Sequence, residues 1–118
     1  PDPERPRRGY GFLKPLMRRA FVEEQGLRYD ETMRFAEDYA FYVETFLAGA
    51  RWIAVEGAGY VYVIRSGSLT ATHQARDLFR LCAVDAAALE RVGDRRMRRA
   101  LRRHLLSTQK RAAWAHFI

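Results

Sequence analysis

The sequence predicts an α+β chain, mainly helical, with one short two-strand element. Three observations carry that prediction. Apolar residues recur at helical spacing in the stretches 16–25, 37–48 and 74–92, and again after Gly93-Asp94. β-Branched and aromatic residues crowd two short runs, Arg51 to Val55 and Tyr60 to Ile64. Glycines stand where the helical patterns stop, at Gly26, Gly49 and Gly93.

The elements follow in chain order. Three prolines among the first six residues forbid a helix there, so residues 1–10 read as an extended linker or boundary segment. Leu16, Met17, Ala20 and Phe21 predict a first helix over 16–25, closed by Gly26. Leu27 to Asp30 reads as a short loop or strand. Tyr39, Tyr42, Val43, Phe46 and Leu47 form a wide apolar stripe and predict a second helix over 37–48. Glu37 and Asp38 fall in its first turn, where acids suit the positive end of the helix dipole. Arg51 to Val55 and Tyr60 to Ile64 flank Glu56-Gly57-Ala58-Gly59 and read as a hairpin. Ser66 to Thr72 is a small-residue loop. Leu78, Leu81, Cys82, Val84, Asp85, Ala88, Leu89 and Val92 predict a third helix. Met97, Leu101, Leu105 and Ala112 mark the inner stripe of a fourth, with most of its arginines off that stripe.

Length and composition narrow the class. At 118 residues and 48% hydrophobic content the chain is one domain's worth and rich enough for a packed core. One cysteine and three histidines exclude a disulfide scaffold and a zinc finger. No apolar run is long enough to span a bilayer, and no basic-then-apolar leader opens the chain. Charge is uneven. Residues 1–58 carry nine Arg/Lys against ten Asp/Glu, and residues 59–118 carry twelve against four. Such a basic end suits nucleic acid or an anionic membrane, and it equally suits the solvated face of an amphipathic helix.

Few residues are placed for chemistry. Glu37 and Asp38 have a structural use as dipole partners. An acid held rigidly at a helix start and facing a cleft also suits a general base. Tyr39, Phe41 and Tyr42 beside them read as core or as the wall of an acceptor site. In Arg65-Ser66-Gly67-Ser68-Leu69-Thr70 the Arg65 cation, the Ser68 and Thr70 hydroxyls and Gly67 make a mix that suits a diphosphate or a sugar. It also reads as an ordinary turn. His73 is the one histidine near that loop, and alone it makes no metal site; His104 and His116 read as structural. Cys82 on an apolar stripe reads as a buried inert thiol. Trp52 and Trp114 read as core or interface aromatics. No nucleophile elbow and no Gly-Lys-Ser/Thr phosphate loop is present.

Five of these pieces, in order, resemble the C-terminal half of a family 2 glycosyltransferase. They are Leu13-Lys14-Pro15-Leu16-Met17-Arg18-Arg19-Ala20-Phe21, Gly26-Leu27-Arg28-Tyr29-Asp30-Glu31, Glu37-Asp38-Tyr39-Ala40-Phe41-Tyr42, Leu47-Ala48-Gly49-Ala50-Arg51, and Tyr60-Val61-Tyr62-Val63-Ile64-Arg65 running into Ser66-Gly67-Ser68-Leu69-Thr70. The resemblance runs from about Gly11 to Thr72. It implies an acceptor-side part of a GT-A type α/β fold over 11–72, followed by a helical extension over 73–118. It implies an inverting, non-processive transfer from a nucleotide-sugar to a polysaccharide or lipid-linked saccharide. Asp38 matches the catalytic base and Glu37 its support; Arg65, Ser68 and Tyr39 border the substrates. A divalent metal, Mg or Mn, is implied for the full-length enzyme. The strand-end Asp-x-Asp that would hold it does not occur in these residues, so this chain alone is expected to hold no metal, to bind nucleotide-sugars weakly or not at all and to be inactive. The Gln-x-x-Arg-Trp motif of processive synthases does not occur either. A cytoplasmic place, peripheral at the inner face of the cell membrane, self-association and no nucleic-acid partner complete these expectations. The contrasting reading is a small basic helical module that binds nucleic acid or an anionic membrane.

Overall fold

Two glycines and one aspartate set the ends of the helices. The structure, a computed structural model, describes residues 14–55, 63 and 75–117. Four helices occur there in the order α1 (Arg19–Glu24), α2 (Glu37–Leu47), α3 (Ala75–Arg91) and α4 (Arg95–Phe117). Gly26 and Gly49 both take the left-handed conformation, with φ of 61° and 88°. Each closes its helix with a paired set of backbone bonds: Gly26 N–H to Glu23 and Leu27 N–H to Val22, then Gly49 N–H to Phe46 and Ala50 N–H to Thr45. A Cβ at either glycine would meet no atom, so the need for glycine there is conformational, not steric.

Helices α3 and α4 form an antiparallel hairpin across the short turn 92–94. Asp94 caps α4, its Oδ1 accepting from Met97 N–H at 2.7 Å. Arg98 reaches back and donates to Leu89 O at 3.3 Å and to Val92 O, so one guanidinium satisfies carbonyls left open at the end of α3. Helix α2 packs on α3. Val43 joins Ala88, Val92 and Leu101 in one buried cluster, with Tyr39, Leu47, Leu89 and Met97 packed around it. This cluster joins residues from α2, α3 and α4. At the surface Arg91 and Glu44 form a two-bond ion pair, both bonds 2.8 Å, between α3 and α2. Solvent screens it, so it is worth under about 1 kcal/mol.

Two expectations need correction. The first helix begins at Arg19, not at residue 16, because Arg18 is extended with ψ 117°. Leu16 is fully exposed and Ala20 is exposed, so the apolar pattern that suggested a longer helix finds no core to face. The expected strand Arg51 to Val55 is irregular, and no strand occurs among the described residues. Its Trp52 turns instead toward α2. The Trp52 ring stacks on Phe46 at 4.9 Å, and its Nε1–H donates to Thr45 Oγ1 at 3.2 Å. The expected partner strand lies outside the described residues except for Val63.

Candidate functional site

The amino end of α2 departs from ordinary helix chemistry. Its N-cap is Ala36, left-handed at φ 56° and without a side chain able to accept a hydrogen bond. For an L-residue that conformation costs about 1 kcal/mol. The missing cap is supplied from inside the helix: Asp38 Oδ1 accepts from Tyr39 N–H at 2.8 Å. Its other oxygen accepts from Lys14 Nζ at 2.8 Å. Two pieces of the sequence 24 residues apart, the Lys14-Pro15 run and the Glu37-Asp38 pair, therefore meet. The Asp38 side chain is 32% exposed, so a hydroxyl from solvent can still reach it. Glu37 is exposed and has no hydrogen bond among the described residues.

Tyr39 faces the other way. Its hydroxyl donates to Asp85 Oδ1 at 2.6 Å, and its ring stacks on His104 at 4.4 Å. His104 Nδ1 lies 2.7 Å from Asp85 Oδ2. Asp85 is wholly buried, and both its oxygens are used. Burial, then the bond to Asp85, pushes the Tyr39 phenol far above its usual range. Burial first, and the Asp85 charge second, also raises the Cys82 thiol. A Tyr-Asp-His trio has the parts of an activated site, but among the described residues no free nucleophile stands beside it. Its hydroxyl is spent on Asp85 and the neighbouring thiol is buried. The trio ties α2, α3 and α4 together directly behind Asp38. Tyr39, expected at a substrate, spends its hydroxyl on this tie.

Sequence reading placed Asp85 on the inner stripe of α3 and left His104 structural, without joining them. Half of the signal was present: a carboxylate on a buried stripe needs partners, but the sequence does not say which of the many donors of α4 supplies one. Arg65, Ser68 and His73 lie outside the described residues.

A shallow depression of about 290 Å³ lies between the 30s loop and the start of α3, lined by Thr32, Arg34, Arg76, Asp77 and Arg80. Arg80 is occupied there, bonded to Thr32 Oγ1 and 3.5 Å from Asp30 Oδ2. Bonds from Thr32, with the Arg80 charge adding to them, hold the Asp30 carboxyl below its ordinary value. Asp38 does not line this depression. Among the described residues no three His, Cys, Asp or Glu side chains cluster to hold a metal ion.

The chain is similar to two proteins of succinoglycan biosynthesis. Succinoglycan biosynthesis protein ExoU of Rhizobium meliloti (strain 1021) is 44% identical over 116 residues, which is 95% of this chain and 33% of that protein. Succinoglycan biosynthesis protein ExoO of the same strain is 37% identical over 82 residues, 70% of this chain and 24% of that protein. The chain thus spans about a third or less of the curated relatives it matches. No protein-family profile matches the chain. No solved structure matches it. No helix among the described residues is long and apolar enough to cross a membrane.

Proposed function

We propose that this chain is the acceptor-side part of an inverting, non-processive glycosyltransferase of exopolysaccharide synthesis, with Asp38 as its general base. The observation that carries the reading is the anchored carboxylate of Asp38, held by Lys14 and the Tyr39 N–H; Asp38 stands two residues after Ala36, the only left-handed non-glycine residue among those described. The similarity to two succinoglycan biosynthesis proteins supports the pathway class, because a polysaccharide is built by forming glycosidic bonds. In the proposed step an acceptor O–H gives its proton to Asp38. The freed oxygen attacks the anomeric carbon, and the bond to the nucleoside diphosphate breaks on the opposite side. A carboxylate oxygen has two lone pairs, so Asp38 Oδ2 can take the acceptor proton without first losing Lys14. Glu37, exposed on the same turn, is free to meet the acceptor.

The test is Asp38→Asn in the full-length protein, with turnover read at saturating acceptor. Loss of a general base lowers the rate about 10²–10⁴-fold. Asn is nearly isosteric and can still accept from Tyr39 N–H, so thermal stability should fall by less than about 1 kcal/mol. Glu37→Gln should cost less turnover. Near-normal turnover of Asp38→Asn, with a small drop in melting temperature, would leave Asp38 as a helix cap alone.

A further inference from the structure

Helix α4 is charged against its own folding. Its first turn carries Arg95, Arg96 and Arg98 and no acid, although the open N–H groups there already form the positive end of the helix dipole. Along its 23 residues it holds seven arginines, one lysine and no Asp or Glu. Arg95 and Arg99, Arg99 and Arg102, and Arg99 and Arg103 are like-charged neighbours three or four residues apart, a spacing at which they repel. Only Arg98 is accounted for by packing, through its bonds to the end of α3. Arg95, Arg96, Arg99, Arg102 and Arg103 are exposed and make no ion pair or hydrogen bond among the described residues.

These charges share one face with exposed apolar side chains. At 100° per residue, Arg95, Arg99, Arg103, Leu106, Lys110 and Phe117 fall within an arc of about 80°. The buried residues Leu101, Thr108 and Ala112 lie on the opposite face. Leu106 is 60% exposed, Trp114 at the edge of the arc 72%, and Phe117 87%. The face is therefore basic along its first half and mainly apolar or aromatic along its second, where Lys110 is the one cation.

We propose that the outward face of α4 docks on an anionic lipid bilayer. Lipid phosphates neutralise arginines that repel one another in the free chain, and the interface takes up Leu106, Trp114 and Phe117. A nucleic-acid backbone would satisfy the arginines and leave Leu106 bare. A second copy of this face would bring more positive charge and no counter-charge.

The test is co-sedimentation of the chain with vesicles of phosphatidylcholine alone and of phosphatidylcholine with phosphatidylglycerol. Binding is expected only to the mixed vesicles, weakening as salt rises, with a blue shift of Trp114 fluorescence that Trp114→Phe removes. Replacing Arg95, Arg99, Arg102 and Arg103 with Gln should lower partitioning about fivefold per residue, more than a hundredfold together. That variant should be at least as helical by circular dichroism, because the removed charges repel, so lost binding would not reflect lost fold. Leu106→Ser with Phe117→Ser should weaken binding less. Equal partitioning to both vesicle types, or unchanged binding of the four-Gln variant, would overturn the proposal. So would tighter binding to a mixed-sequence RNA at the same salt.

Discussion

The amino ends of α2 and α4 break opposite rules. Helix α4 has a good cap, Asp94, and the wrong charges after it. Helix α2 has the right charges, Glu37 and Asp38, and the wrong cap, a left-handed alanine. A helix start evolved only for stability would have both features right. At α4 the misfit lies in the arginines proposed to meet a membrane; at α2 it lies at Ala36, beside the acids proposed to meet an acceptor.

That contrast can be broken at the point where the two helices are joined. Asp85 holds Tyr39 of α2 and His104 of α4 at once. Asp85→Ala leaves the Tyr39 hydroxyl and a histidine nitrogen without their buried partner. Leaving two such groups without their buried partner costs about 2–3 kcal/mol, held down because His104 keeps some solvent access. Chemical denaturation should show that loss, and Asp85→Asn should restore part of it. A loss under about 1 kcal/mol would mean that the two helix starts are held independently.

The two caps sharpen the contrast with smaller effects of opposite sign. Asp94→Ala removes a side-chain cap and should destabilise by about 1 kcal/mol. Ala36→Gly removes the left-handed penalty and should stabilise by about 0.5–1 kcal/mol, read as a higher melting temperature. If Ala36→Gly destabilises instead, the alanine methyl is a packing element and the start of α2 is not strained. A full-length Ala36→Gly protein with higher stability but lower turnover would tie the strain to Asp38.

Much of this was legible in the sequence. Helices α2, α3 and α4 announce themselves because their apolar stripes are long and their ends carry Gly49 and Gly93-Asp94. The Glu37-Asp38 pair is visible because acids in a first turn are a local feature. The meeting of Lys14 with Asp38 is not, since no period relates residues 24 apart. Nor is the Asp85 trio, which forms only when three helices pack. The strand expected at 51–55 came from side-chain preference alone, and such preference needs a ladder to act on. Trp52 found α2 instead. The apolar pattern at 16–21 misled for the same reason: periodicity shows that a face exists, not that something covers it.

Cys82, the single sulfhydryl of the sequence, is a buried residue of α3, its thiol pKa raised first by burial and then by the Asp85 charge. A thiolate is the form that alkylating reagents attack, and here the folded chain both hides the sulfur and disfavours that form. Modification is fastest when local opening brings the sulfur to solvent. The rate at which a thiol reagent consumes Cys82 is therefore a clock for that opening, built into the chain without any added label.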